Sequence, residues 1–249
     1  MNPITVIPAR LASSRLPGKP LADIHGRPMI AHVLDRAREA EAGPVLVACG
    51  DAEIATAVEA EGGLAVMTDP DLPSGSDRIE QALGRYDPEG RHDIVVNLQG
   101  DLPTLPAELV HAALSTMQDP ETDIGSLVAE IRTAEEATAP SVVKCVCAFR
   151  PNQQVTRAHY FSRVTVPGGT GPLWHHIGLY VYRRAALERF VRLPPGLLEQ
   201  RESLEQLRAL EAGMKISVAR VDHAPFGVDT PADLDRARKM LGATPAAKA

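Results

Sequence analysis

Apolar positions along the chain switch between two periods. Ile4-Thr5-Val6-Ile7 is a short β-branched run ending at Pro8, the pattern of a buried strand. From Arg27 to Ala42 the spacing becomes helical, with Met29, Ile30, Val33, Leu34 and Ala37 on one face and Pro28 suited to the first turn. Val45 to Ala48 is the next apolar run, and Asp51 to Glu61 reads as a helix stopped by Gly62-Gly63. Leu64 to Met67 predicts a strand, and Ser76 is placed to cap a helix reaching about Tyr86. Asp93 to Leu98 predicts another strand, followed by a helix from Ala107 to Met117. Strand and helix alternating at this spacing imply a parallel sheet with helices on both faces.

The second half is more mixed. Ile124 to Ile131, Val142 to Phe149 and Ile177 to Tyr182 predict strands. Helices are expected from Ala185 to Val191 and from Ser203 to Ala212, then a strand from Ile216 to Val221 and a last helix after Thr230. The pattern predicts one α/β domain over 1–242 with a mixed-sheet extension, and a disordered Ala/Lys tail over 243–249.

Composition narrows the class. With 249 residues the chain can bury a core without disulfides or metal staples. Its 26 Lys+Arg against 32 Asp+Glu give a net charge of −6, which argues against a general nucleic-acid or membrane-surface binder. Three cysteines cannot build a disulfide framework, no apolar run approaches the roughly 18 residues of a membrane span, and no signal peptide is evident. A soluble cytoplasmic protein is expected. Cys145 and Cys147 share one face of a strand and read as buried thiols rather than metal ligands. His175 and His176 point to opposite faces, so at most one can serve a pocket.

Against that acidic average, the stretch after the first strand, Pro8 to Leu21, carries Arg10, Arg15 and Lys19 and no acid. It lies at the C-terminal end of strand one, where open α/β sheets bind ligands, and cations beside small residues suit a phosphate chain. A solvated basic loop is the plainer reading. It is not a Walker A loop, since Gly18-Lys19 is followed by Pro20 and Ser13 stands where the first glycine should be. A second strand runs out into Gln99-Gly100-Asp101, and Asp229 stands just before the helix start Thr230-Pro231-Ala232-Asp233. Taken singly, each carboxylate is a turn residue as readily as a ligand. Together, beside a phosphate loop, they are what a Mg²⁺–triphosphate complex needs.

The ordered set IPARLASSRLPGKPL, NLQGD, YFSR, HIGLYVYR, SLEQLRALEAG and GVDTPADL resembles the 3-deoxy-manno-octulosonate (Kdo) cytidylyltransferases from about Ile4 to Leu241. The resemblance implies a Rossmann-like, nucleotide-diphospho-sugar transferase-like fold. It also implies CMP transfer from CTP to Kdo with loss of pyrophosphate, giving CMP-Kdo for lipopolysaccharide synthesis, and a homodimer. It places the CTP phosphates and backbone on Arg10, Ser13, Arg15 and Lys19, with Gln99 in the first carboxylate's loop and Arg78 in the cytidine/sugar pocket. It puts Mg²⁺ on Asp101 and Asp229, and the sugar acid on Arg163, His176, Tyr180, Glu205 and Gln206, in a sugar and dimerisation subregion over about 124–215. Lys19, Arg10, Asp101 and Asp229 would be the catalytic set. Two departures stand out: Leu102 follows Asp101 where the family commonly has Glu, and the stretch between Pro167 and His176 is short and Gly-rich. The alternatives are a cytidylyltransferase for 8-amino-Kdo or sialic acid, or a non-catalytic nucleotide-sensing module.

Overall fold

The β-branched run at the N-terminus forms strand β1 (Pro3–Ala9), whose Ile4, Val6 and Ile7 are wholly buried. In the computed structural model, which describes residues 1–12 and 15–242, the chain divides into two units. The first comprises Met1–His92, Asn97–Ala107 and the segment from Pro225; the second comprises Asp93–Val96 and Glu108–Ala224. One domain was expected, with a subregion near 124–215; the second unit is wider than that subregion. Ser13 and the tail 243–249 lie outside the described residues.

In the first unit β1 is followed by a small hairpin of β2 (Asp23–Ile24) and β3 (Arg27–Pro28), then helix α1 (Met29–Glu39). The predicted face of α1, Met29, Ile30, Val33, Leu34 and Ala37, is the buried one. Next come β4 (Val45–Cys49), α2 (Ala52–Ala60), β5 (Leu64–Met67) and α3 (Gly75–Tyr86). β4 lies between β1 and β5 and is parallel to both, in register Thr5↔Val45 and Leu46↔Leu64. Helix α3 starts earlier than the sequence suggests. Its cap is Ser74, whose Oγ accepts from the Asp77 amide at 3.3 Å, because Ser74 keeps the extended backbone a cap needs while Ser76 is buried in the first turn.

Strand β6 (Ile94–Asn97), fully buried, leads to α4 (Ala107–Ser115) and to the second unit's central strand β7 (Ile124–Glu130). After α5 (Ala134–Thr138) come three short strands, β8 (Lys144–Val146), β9 (Val155–Arg157) and β10 (Tyr160–Ser162). The ten-residue β11 (Trp174–Arg183) follows, then α6 (Arg184–Val191), α7 (Leu197–Glu202), α8 (Gln206–Glu211) and β12 (Ile216–Val221). β7 is antiparallel to β11 and parallel to β12, so this sheet is mixed, as expected. Its register slips between Ile177 and Val181, where β11 bulges against β7. β8 is shorter than the predicted Val142–Phe149 strand: only Lys144 to Val146 pair with β10, in register Lys144↔Ser162 to Val146↔Tyr160. Lys144 is buried, and its Nζ donates to the carbonyls of Ala139, Val142 and Arg163 at 2.9, 2.7 and 2.9 Å.

The last helix, α9 (Pro231–Gly242), returns the chain to the first unit. Thr230 and Asp233 form the expected reciprocal cap: the Asp233 amide donates to Thr230 Oγ1 at 3.2 Å, and the Asp233 carboxylate accepts from the Thr230 amide at 2.9 Å. Leu234 and Ala237 of α9 pack with Val228, Ile24 and Met29 in one buried cluster, with Leu16 and Ala22 against it. The two ends of the chain's chemistry, the basic loop and the Asp229 turn, thereby share one apolar anchor. No helix among the described residues is long and apolar enough to cross a membrane.

Candidate active site

Parallel strands bring their C-terminal ends to one edge, and in the first unit that edge carries a cavity of about 370 Å³. The turn after β1 is tied down twice: the Gly50 amide donates to the Ala9 carbonyl at 2.9 Å, and the Leu11 amide donates to the Asp51 carboxylate at 2.8 Å. A Cβ at Gly100 would stand 3.1 Å from the Pro8 carbonyl oxygen, so glycine lets the Gln99–Asp101 turn run close to the end of β1.

The centre of the cavity is Lys19. Its Nζ lies 3.0 Å from Asp101 Oδ2 and 3.1 Å from Asp229 Oδ1, and it also donates to the Val228 carbonyl at 3.0 Å. The Val228 amide in turn donates to the Asp101 carbonyl at 2.9 Å. Two carboxylates 128 positions apart in sequence are thus fixed on one ammonium by side chains and backbone together. Lys19 is 17% exposed, Asp101 30% and Asp229 41%, a gradient that opens to solvent. Arg15, 67% exposed, reaches Asp229 Oδ1 at 3.0 Å from the outer side, and Arg10 lines the same cavity.

Arg78 and Gln99 complete the predicted nucleotide residues in this wall. Arg78 is 2% exposed, and much of its guanidinium is spent on the protein: Nη1 donates to the Thr68 hydroxyl and to the Asp69 carbonyl at 3.0 Å, and Nη2 to the Pro70 carbonyl at 3.1 Å. Burial, and next the charge of Arg10, press Arg78 below its ordinary value. Arg78 therefore shapes the 68–70 loop as well as charging the cavity. A Cβ at Gly50 would come within 2.7 Å of its Nη1, which leaves glycine as the residue that fits behind it. Gln99 donates from Nε2 to Asn97 Oδ1 at 2.8 Å, which turns its carbonyl oxygen away as an acceptor. Leu102, the residue that departs from the family pattern, is buried and stands 3.7 Å from where a Cβ of Gly227 would lie, so that position does packing work here.

The predicted sugar-side residues lie in the second unit. His176 is buried, with Nε2 3.0 Å from Ser126 Oγ and Nδ1 3.5 Å from Gln206 Nε2. Its ring packs edge-on to Phe161 at 4.7 Å and near Tyr180 at 5.5 Å. Burial, and then the His175 charge, pull His176 down to about 3, so the imidazole is neutral; burial first, then Tyr182 and Glu205, drive the Tyr180 phenol well above its ordinary value. Glu205 directly precedes α8, beside Gln206. The guanidinium of Arg163, expected on the sugar-acid side, is engaged by the protein itself. Nε, Nη1 and Nη2 donate to the carbonyls of Glu202, Pro140 and Ser203 at 2.8, 3.1 and 2.9 Å, so the side chain clamps backbone. Glu202 reciprocates by accepting from Ser162 Oγ at 2.9 Å and the Arg163 amide at 3.0 Å.

Three participants escaped the sequence reading: Asp51, Ser126 and Glu202. Asp51 had a signal, standing at the end of β4 on the ligand edge. Ser126 and Glu202 had none, because their partners lie 50 and about 40 residues away.

Comparison with known proteins identifies the family. The family model described as cytidylyltransferase matches residues 4–216. A 3-deoxy-manno-octulosonate cytidylyltransferase of Rhodospirillum centenum is 64% identical over 249 residues, covering 98% of this chain and 97% of its own. One of Paramagnetospirillum magneticum is 60% identical over 243 residues, covering 98% and 99%. Among solved structures, a CMP:2-keto-3-deoxy-manno-octonic acid synthetase complexed with CTP is 41% identical with a TM-score of 0.89, covering 97% of this chain and 99% of that one.

Proposed function

Since the chain belongs to the 3-deoxy-manno-octulosonate cytidylyltransferase family, we infer that it transfers CMP from CTP to the anomeric hydroxyl of Kdo, releasing pyrophosphate. The observation that carries the reading is the convergence of Asp101 and Asp229 on Lys19 Nζ, in a cavity also lined by Arg10, Arg15 and Arg78. Such a site binds a polyphosphate and holds it still, which is most of what nucleotidyl transfer asks of a protein.

The anomeric oxygen attacks the α-phosphorus as the bond to the β-phosphate oxygen breaks, and pyrophosphate carries away the displaced electrons. Arg10, Arg15 and Lys19 are assigned to the phosphates, where guanidinium forks and an ammonium offset charge that shifts to the leaving group. Lys19 also keeps the two carboxylates aimed at one place. Gln99, with its amide nitrogen held by Asn97, offers an acceptor beside Asp101. No cysteine or histidine lines this cavity among the described residues, so no side chain stands out as a neutral-pH base.

Asp101 and Asp229 fit a divalent cation of the Mg²⁺ type, which is commonly held by one or two carboxylates plus substrate phosphates. No cluster of three or more His, Cys, Asp or Glu able to hold a metal exists among the described residues, so the triphosphate would supply the remaining ligands. When bound there, Mg²⁺ would neutralise phosphate charge and lower the pKa of the attacking hydroxyl. The sugar acid is assigned to His176, Tyr180, Glu205 and Gln206, with Arg163 holding the backbone around Glu202 and Ser203 that leads into α8. A homodimer is part of the same proposal, and sedimentation should then report twice the 26.7 kDa of one chain.

Pyrophosphate release settles the activity. CTP, UTP, ATP and GTP are each offered with Kdo, 8-amino-Kdo and sialic acid; CTP with Kdo should turn over fastest. Equal or greater rates with 8-amino-Kdo or sialic acid would reassign the acceptor, and CTP binding without pyrophosphate release would make the protein a sensor.

A further inference from the structure

Ser126 is wholly buried in β7, opposite the place where β11 bulges between Ile177 and Val181. A bulge removes ladder partners from backbone groups, and buried carbonyls need replacements. Ser126 Oγ offers one, lying 2.9 Å from the Ile177 carbonyl oxygen and 3.0 Å from that of Leu179. Carbonyls only accept, and two of them stand against one ring nitrogen in competition for the single hydroxyl proton of Ser126, which favours a carbonyl as its target. The same oxygen stands 3.0 Å from His176 Nε2 and can offer that nitrogen only a lone pair. Nε2 therefore carries the ring proton. A neutral imidazole has one, which leaves Nδ1 as an acceptor facing the Gln206 amide at 3.5 Å. Gln206 must then turn its NH₂ toward the ring and its carbonyl oxygen away from it.

We propose that Ser126 is a positioning residue for the sugar acid: through the bulge carbonyls it fixes the His176 tautomer, and through that tautomer it fixes which end of the Gln206 amide meets the substrate. The relay selects an acceptor at Gln206, which suits a hydroxyl-rich ligand that arrives with donors. His176 and Tyr180, on either side of Gly178 in the bulge, keep their rings 5.5 Å apart in the same arrangement. Among the described residues, the groups in contact with the ring are Tyr180 on its own strand and Ser126, Phe161 and Gln206 from neighbouring elements, and none of them carries a charge at neutral pH.

The proposal rests on the sugar-side role given to His176 and Gln206 above, and its test separates the two. Nitrogen NMR of the ring in the unmodified enzyme should show Nε2 protonated, Nδ1 unprotonated and no titration between about pH 5 and 8. A proton on Nδ1, or ordinary titration, overturns the relay whether or not the enzyme uses Kdo. Ser126→Ala should mix the two tautomers and raise KM for Kdo about tenfold while leaving kcat and KM for CTP near their starting values. An unchanged KM for Kdo, or equal damage to CTP, overturns it. Ser126→Thr, which keeps the hydroxyl, should restore both the tautomer and KM; should the alanine variant not fold, that variant and the ring nitrogens of the parent decide. Pyrophosphate release with a different acceptor but not with Kdo would sink the activity reading alone.

Discussion

Lys19 draws its meaning from what surrounds its ammonium. Its three donors meet Asp101, Asp229 and the Val228 carbonyl, and none of these neighbours is near it in sequence. Replacing Asp101 by Asn keeps the shape and a hydrogen-bond acceptor but removes the charge a cation would need. Turnover should fall on the order of 10³-fold, since a bound cation is worth several kcal/mol at about 1.4 kcal/mol per decade. The fold should survive, because Asp101 is on a partly exposed turn rather than in the core. Near-native rates for Asp101→Asn in Mg²⁺ would remove the two-carboxylate arrangement. A second outcome follows from having only two carboxylates. Calorimetry should find Mn²⁺ or Mg²⁺ binding weak in the free protein and tightened by CTP, whose phosphates complete the shell; strong binding without nucleotide would mean a ligand set other than this one. Residues of this kind were legible where a charge broke the local pattern: Arg10, Arg15 and Lys19 stand in the loop that follows β1, and Asp101 in the turn that follows β6. Ser126 was not legible, because a serine in a mostly apolar strand gives no hint that a bulge fifty residues on needs its hydroxyl. Arg163 was legible as a cation but not as a clamp, since its partners are carbonyls and carbonyls have no sequence signature.

At the level of elements, α9 links stability to the site. Asp229 sits one residue before the cap, and the Asp233 carboxylate accepts from the Asp229 amide at 3.2 Å, the Thr230 amide and the Thr230 hydroxyl. Burial pushes the Asp233 carboxyl up, but those hydrogen bonds, led by Thr230, outweigh it and leave it below its ordinary value. A carboxylate depressed in the folded state stabilises fully above its unfolded pKa and loses that contribution as pH falls through the folded value. The α9 start should therefore hold at neutral pH and loosen only in acid, below about 4. Asp233→Ala should cost about 1 kcal/mol in urea unfolding at pH 7, with the difference from the parent shrinking in acid; an undiminished difference at low pH would mean the carboxylate charge is not what matters. Strong periodicity explains which elements could be read. The α1 face lies where the pattern put it, because burial on one face imposes the helical period, and the short apolar runs at β5 and β12 also form the strands they suggest. β9, β10 and the six-residue α7 are too short to show any period and are held by pairing and by the Glu202 and Glu211 contacts. Two serines two residues apart, Ser74 and Ser76, offered the same cap chemistry, and the extended backbone at Ser74 and the burial of Ser76 in the first turn distinguish them.

For the whole molecule, net charge and local charge oppose each other. Six more acids than bases repel a nucleotide triphosphate at a distance, yet the cavity of the first unit is lined by Arg10, Arg15, Lys19 and Arg78 against only Asp101 and Asp229. A basic cleft in an acidic surface focuses the field over a short range, and salt weakens that field with a Debye length near 10 Å at 0.1 M. KM for CTP should therefore rise with ionic strength, while kcat, set by contacts already formed, should change less. Arg15 is the cation best placed to carry this dependence, being two-thirds exposed and bonded, among its described partners, only to Asp229 Oδ1, the oxygen it shares with Lys19. Arg15→Gln should raise KM for CTP at low salt and flatten the salt dependence, the two proteins converging as salt increases. Lys19→Gln should behave differently, since Lys19 is mostly buried and organises Asp101 and Asp229: it should lose kcat at every salt concentration. Steady-state rates for the parent and both variants from 20 mM to 500 mM KCl (about 20 Å to 4 Å of screening length) separate steering from organisation. If Arg15→Gln instead kept the parent's full slope, the attraction would have to come from cations deeper in the cleft, and the exposed edge of the loop would have no part in capture.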